Sequence, residues 1–275
     1  MVRGSYDLVM PEGDTIFRTA TVLRAVLIGR TITAARAQAR PGMRRVPDLD
    51  RLVGASVTGV EPRGKHLLIG FDSGLTLRTH LRMSGSWHRY RPDEPWKLPP
   101  RQASVVLETA DSVAVCFNAP IVELLTAAEL ARQPTLAALG PDLLAPDFEA
   151  GAAVDRFHGL GAAALGDALL DQRVVAGIGN VYKSEVCFIE RLSPWQPVAE
   201  LDDATMLRVL TTARRLLRAN VRGGARVTTD RARGAGALWV YGRAGRPCRR
   251  CGRLIEARRQ GELLRTTYWC PGCQA

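Results

Sequence analysis

Long apolar runs are missing from this chain. No stretch of about 18 apolar residues occurs, so no segment is suited to cross a membrane as a helix. The opening Met1-Val2-Arg3-Gly4-Ser5-Tyr6-Asp7 lacks the apolar core of a secretory signal, and a cytoplasmic location is expected. Internal repeats and low-complexity tracts are absent too, which excludes solenoids and arrays. Histidine is scarce: His66, His80, His88 and His158 are the whole supply, and none lies near the C-terminal cysteines. Acidic residues are scarce in one place only. From Thr211 to Ala275, Asp230, Glu256 and Glu262 face 15 arginines, a net of +12, whereas the whole chain of 275 residues carries +11. A genome biased toward arginine would load both ends alike, whereas a surface for a polyanion is local. Nucleic acid is the expected partner, with a merely solvated charged surface as the alternative.

What is present organises into two parts, as the length permits. Ile16, Ala20, Leu23 and Leu27 recur at helical spacing and predict an amphipathic helix over roughly 14–28. From Thr31 to about Leu125 the pattern turns to short runs rich in Val, Thr, Leu and Ile, parted by Gly, Pro and Asp. Such runs predict antiparallel strands in a sandwich. Residues 139–150 read as a linker. Beyond it the chain is helical, with Ala176-Gly177-Ile178-Gly179-Asn180 ending one helix and starting another, and a longer helix over about 203–220. The fold class expected is α+β in two lobes.

Cys248-x2-Cys251 and Cys270-x2-Cys273 stand 18 residues apart, the spacing of a four-cysteine zinc site. Each pair can set two thiolates on one tight turn, and two turns complete a tetrahedron. With sulfur at every position the Zn2+ would be structural. Two disulfides are the alternative, disfavoured in a chain without a secretory signal. Cys116 and Cys187 lie in apolar surroundings and are expected to be buried.

An internal Met10 is followed by Pro11. Were translation to begin at Met10 and that methionine be removed, Pro11 would present a secondary amine beside the carboxyl of Glu12. A terminal amine titrates near ~8 and attacks carbonyl-like carbons to give covalent imines. The plain alternative is a proline opening a helix at its first position.

Pro11-Glu12-Gly13, Arg63-Gly64-Lys65-His66-Leu67, His80-Leu81-Arg82-Met83-Ser84-Gly85, Leu170-Asp171-Gln172 through Gly177-Ile178-Gly179-Asn180-Val181-Tyr182, Val240-Tyr241-Gly242-Arg243 and Arg265-Thr266-Thr267-Tyr268-Trp269-Cys270-Pro271 occur in this order. Together they resemble the formamidopyrimidine-DNA glycosylase and endonuclease VIII family, over nearly everything from Met10 to Gln274. The resemblance implies an N-terminal β-sandwich with a flanking helix, a helix–two-turn–helix module and a zinc finger, with damaged DNA bound between the lobes. It implies a monomeric base-excision repair enzyme that removes oxidised bases and then cuts the strand. Domains would run over 11–138 (catalytic sandwich), 151–235 (helical, DNA-binding) and 236–275 (finger), after an extra segment at 1–10 that the mature enzyme would lack.

By the same resemblance, Pro11 attacks C1′ of the damaged nucleoside and Glu12 is the proton donor. Lys65 and Arg265 grip phosphate near the lesion, and both are counted with the catalytic set. Asn180 contacts the DNA backbone, Met83 fills the space of the extruded base, and His80 and Arg243 stand in matched motifs as further DNA contacts. Simpler roles exist for several of these: a loop lysine at Lys65, a gap-filling core methionine at Met83, a helix N-cap at Asn180.

Certain features depart from the 8-oxoguanine branch. The loop Asn118-Ala119-Pro120-Ile121-Val122 carries neither the Arg nor the Phe used there to prop the orphaned base. The opening reads Pro-Glu-Gly-Asp-Thr, and Gly223 to Gly236 is short for a lesion-covering loop. These point to endonuclease VIII and oxidised pyrimidines. Competing readings are an 8-oxoguanine or formamidopyrimidine-preferring enzyme, a binding-only descendant that recognises damage without cutting, and a zinc-ribbon transcription factor.

Overall fold

In a computed structural model of the chain, residues 10–43, 45–230 and 237–274 are described. The extra N-terminal segment, apart from Met10, and the end of the short loop at residues 231–236 lie outside them. The chain divides into two compact units between Ala137 and Ala138.

The first unit opens with α1 (Gly13–Leu27). Its apolar stripe is the one the periodicity predicts: Ile16, Ala20, Leu23 and Leu27 are all 1% exposed or less. Burying each large aliphatic side chain is worth about 1.5–3 kcal/mol. Gly29, at φ 73°, follows the helix and turns the chain away, a conformation without cost for glycine.

Two antiparallel four-stranded sheets follow. One has the order β1 (Ala34–Ala37), β6 (Ala103–Glu108), β7 (Val113–Phe117), β5 (Ser86–Tyr90). The other runs β2 (Val57–Arg63), β3 (His66–Phe71), β4 (Leu75–His80), β8 (Ile121–Thr126). Val105, Leu107 and Cys116 of the first sheet share one core with Val60, Leu67, Ile69 and Leu77 of the second and with the α1 stripe. The expected sandwich with its flanking helix is thus present. Arg24 of α1 donates from Nε to the Val60 carbonyl at 2.7 Å and ties the helix to the second sheet. Trp96 and Leu98 pack with Tyr90, Val106, Val115 and Phe117 in a separate cluster, which explains why Val105–Leu107 of β6 and all of β7 are apolar on both faces.

The second unit contains α4 (Ala150–His158), α5 (Leu165–Leu170), α6 (Asn180–Ile189) and α7 (Asp203–Asn220), after the short α2 (Ala127–Ala131) and α3 (Pro134–Ala137) of the first. Asp202 caps α7, its carboxylate accepting from the Thr205 amide at 2.8 Å. The stretch read as a linker is bonded into this unit. Gly140 N donates to Gln172 O, and Ala176 N to Pro141 O, both at 2.9 Å, while Leu143 is fully buried. Finally β9 (Glu256–Gln260) and β10 (Arg265–Trp269) form an antiparallel hairpin flanked by the cysteine turns.

Candidate functional site

Pro11 and Glu12 form the head of α1. Glu12 is the N-cap, its carbonyl accepting from the amides of Thr15 (3.0 Å) and Ile16 (3.1 Å), so Pro11 stands one residue ahead of the cap. It is therefore not the first helical residue, and the helix-opening role at that position does not apply. Glu12 is 1% exposed and Asp14 0%. Two buried carboxyls at the positive end of a helix dipole form an uncommon concentration of acid, favoured there by the dipole's sign.

Lys65 sits in a tight turn between β2 and β3, set by the pairing of Arg63 with His66 and by Gly64 at φ 57°. His66 pairs in turn with His80 across β3 and β4, and the two rings meet edge to face at 4.6 Å. Burial, then His80, Arg78 and Lys65, pushes the His66 pKa down to about 2. Burial, then Lys65, Arg82 and Arg78, takes His80 to about 4. Both imidazoles are consequently neutral near pH 7, and His80 Nδ1 accepts from the Arg82 amide at 3.1 Å. Lys65, His66, His80 and Arg82 thus gather at one end of the second sheet. Met83 follows on the β4–β5 turn, 45% exposed, which removes the core-methionine alternative. The turn is tight: a Cβ on Gly85 would lie 2.7 Å from the Leu81 carbonyl oxygen. At Asn118 (φ 52°) the β7–β8 connection is held by Arg40 and Gln102.

In the second unit, Gln172 organises the turn before α6. Its Nε2 donates to the carbonyls of Leu170 (2.9 Å) and Ile178 (3.0 Å), and its Oε1 accepts from Gly177 N at 3.1 Å. Gly177, at φ 108°, lets the chain reverse. The N-cap of α6 is Gly179, a correction to the capping role expected of Asn180. Asn180 is the first helical residue, and its Nδ2 crosses to the Thr266 carbonyl at 2.7 Å. That bond brings Asn180 beside Arg265, the first residue of β10. Arg243 lies elsewhere in the finger, its guanidinium donating to the carbonyls of Trp239 and Pro247.

The four finger cysteines converge, with all ligand atoms within 4.8 Å of one another. Sγ–Sγ distances of 3.4 Å (Cys251–Cys270) and 4.0 Å (Cys248–Cys273) bracket the edge of about 3.8 Å that a tetrahedron of ~2.3 Å metal–sulfur bonds requires. A backbone bond from Arg253 lowers Cys251 to about 7, whereas burial, with neighbouring thiols, raises Cys273 to about 12. Four such thiols cannot all ionise together without a cation among them, and the donor set fits one closed metal centre. Cys116 and Cys187 are buried, and burial raises both thiols, Cys187 to about 12.

Two residues central to this unit escaped sequence reasoning. Lys183 and Glu185 are both fully buried in α6. Glu185 accepts from the amides of Trp239 (2.7 Å), Val240 (2.8 Å) and Tyr241 (2.8 Å) and from the Thr228 hydroxyl. Lys183 Nζ donates to Thr267 Oγ1 at 2.6 Å, Thr267 to Gln260 Oε1 at 2.6 Å, and Gln260 Nε2 to the Pro194 carbonyl at 2.7 Å. Their signal was two charges inside the apolar helix Val181–Ile189, where nothing in the linear pattern says that hydrogen-bond partners 43 to 84 residues away will meet them.

Comparison with known proteins agrees with this fold. The family model of the formamidopyrimidine-DNA glycosylase N-terminal domain matches residues 10–120, and that of the formamidopyrimidine-DNA glycosylase H2TH domain matches 139–231. A probable endonuclease 8 2 of Streptomyces coelicolor is 46% identical over 97% of this chain and 94% of its own length. The DNA-(apurinic or apyrimidinic site) lyase Nei2 of Mycolicibacterium smegmatis is 45% identical, covering 96% and 99%. Lactococcus lactis Fpg, solved in complex with DNA containing an abasic site, has the same fold at a TM-score of 0.81 and 22% identity, over 96% of this chain and 99% of that one. The chain therefore belongs to the formamidopyrimidine-DNA glycosylase and endonuclease VIII family, on its endonuclease VIII side.

Proposed function

We propose that this protein is a bifunctional DNA glycosylase and AP lyase of base-excision repair that removes oxidised bases, pyrimidines foremost. Pro11 is the nucleophile. Its ring nitrogen, once freed, attacks C1′ of the damaged nucleoside and displaces the base. Glu12 donates a proton to the sugar ring oxygen and then shuttles protons. The resulting iminium acidifies the C2′ protons, so the 3′ and then the 5′ phosphate leave by β,δ-elimination. Lys65 and Arg265 hold phosphates flanking the lesion, aided by Asn180, while Met83 fills the vacated stack. His80, neutral and bonded at Nδ1, can offer only Nε2 to DNA, and Arg243 supports the finger as much as it adds charge.

Cys248, Cys251, Cys270 and Cys273 would hold one structural Zn2+, which braces the finger and takes no part in the chemistry. A monomer acting on nucleoid DNA in the cytoplasm is sufficient for this role. The working enzyme would consist of the catalytic sandwich 11–138, the stretch 139–150, the helical module 151–235 and the finger 236–275, with residues 1–10 removed.

The observation that carries this reading is a proline directly ahead of a buried carboxyl at the head of α1, in a chain whose family match begins at residue 10. An amide nitrogen at Pro11 has no nucleophilicity, so the free amine is the testable requirement. Protein beginning at Pro11 should be trapped covalently on abasic-site DNA by borohydride, and Pro11→Gly should lower the yield sharply. Absence of any trapped adduct would refute the mechanism and leave the binding-only alternative. Single-turnover cleavage should be faster on thymine glycol or dihydrouracil than on 8-oxoguanine opposite cytosine; the reverse order would overturn the pyrimidine assignment.

A further inference from the structure

The β9–β10 turn carries two adjacent leucines in water: Leu263 is 75% exposed and Leu264 57%. Exposed leucines scattered singly need no explanation, but a neighbouring pair at the tip of a hairpin is an apolar projection. The tip is held firmly. Leu264 N donates to the Gly261 carbonyl at 3.0 Å, and Arg259 reaches the Leu264 carbonyl at 3.3 Å. Below it, Gly261 lies so close to α5 that a Cβ would fall 2.2 Å from Asp167 Oδ1. The Lys183–Thr267–Gln260–Pro194 chain anchors both strands. Leu264 also adopts φ 47°, a left-handed conformation that costs a branched residue more than it would glycine or asparagine. The tip is therefore an apolar point that cannot fold back to hide itself.

Its surroundings say what it meets. Arg259 precedes the turn and Arg265 follows Leu264 directly, Arg258 lies over the Trp195 ring at 4.3 Å, and the acids beside the tip are Glu262 and Asp167. An apolar point flanked by Arg259 and Arg265 fits a polyanion that has apolar surface within reach, and DNA offers that as base faces behind its phosphates. Proteins that unstack a base step do so with Leu, Ile, Phe or Met wedges beside cationic phosphate contacts.

We propose that Leu263 and Leu264 are a DNA wedge, entering a groove and opening a base step beside the phosphate that Arg265 holds. This rests on the DNA-binding reading above. The test uses protein beginning at Pro11 and duplexes that carry an abasic-site analogue flanked by 2-aminopurine. The Leu263→Ser/Leu264→Ser variant should bind about ten-fold more weakly, because two apolar side chains lose their burial. It should lose the 2-aminopurine fluorescence increase. The slope of log K against log salt should stay unchanged, since no phosphate contact is removed. A Leu263→Met/Leu264→Met variant should retain the fluorescence increase and most of the affinity. Unaltered affinity and fluorescence in the serine variant would overturn the wedge, as would a weakened affinity whose salt slope falls by about one. If wild-type protein is trapped on abasic DNA while the serine variant behaves identically, the wedge fails and the repair function stands; if wild type does not bind DNA, both fail.

Discussion

Replacing Glu185 with alanine would remove one acceptor from four donors at once. The amides of Trp239, Val240 and Tyr241 converge on its two oxygens at 2.7–2.8 Å with the Thr228 hydroxyl, and the side chain is fully buried. Hydrogen bonds to a charged partner contribute about 1.5–3 kcal/mol each, and a buried amide stripped of its acceptor costs about 1–3 kcal/mol. Relief from burying the carboxylate offsets part of this, since taking an ion out of water costs several kcal/mol. A net loss of about 3–5 kcal/mol is expected, concentrated where the chain enters the finger. Glu185→Gln keeps the volume but turns an NH2 group toward amide donors, so roughly half the loss should remain. The assay is urea unfolding by circular dichroism, joined with limited trypsinolysis at Arg243, Arg246, Arg249 and Arg250. Both variants should be cut early in this stretch under native conditions. A Glu185→Ala protein within about 1 kcal/mol of the parent, with an unchanged digestion pattern, would refute the reasoning.

Further outcomes follow from the same geometry. Gly261→Ala combines φ 65° with a Cβ placed 2.2 Å from Asp167 Oδ1, so it should destabilise by about 1–3 kcal/mol and loosen the hairpin, as read by hydrogen exchange across β9 and β10. Cys270→Ser or chelation should abolish one equivalent of bound zinc and melt the finger core around Phe188, Val240 and Ile255, while the sandwich keeps its unfolding transition; metal analysis with near-ultraviolet circular dichroism checks both. The folded pKa values of His66 (about 2) and His80 (about 4) lie below the ordinary 6.5, so the unfolded chain takes up protons first on acidification. Stability present above pH 6.5 should therefore decline as pH falls toward 4 and below. His80→Asn, which preserves an acceptor for the Arg82 amide, should flatten that decline in pH-dependent denaturation curves.

Much was legible in the linear chain. The stripe Ile16–Ala20–Leu23–Leu27 predicted α1 because a helix repeats every 3.6 residues, and the cysteine spacing predicted a four-sulfur centre because two-residue gaps set the bite of a metal turn. The charge gradient foretold a polyanion. These are local or compositional properties, and local physics reads them. Asn favours the cap position, but at α6 Gly179 takes it and the Asn180 side chain bonds β10 instead. The 139–150 stretch looked like a linker, yet its backbone pairs with residues 172–176.

The order of elements, the helix over 13–27 and the four-sulfur ligand set were decided by the sequence alone, because each depends on residues close in the chain or on their spacing. Tertiary structure alone decided that His66 and His80 meet as neutral rings and that Lys183 and Glu185 become the buried anchors of the finger. It also decided that Leu263 and Leu264 stand out in water. The reason is physical: the protonation of an imidazole and the worth of a buried charge depend on neighbours brought together by folding, and no periodicity in the chain records them.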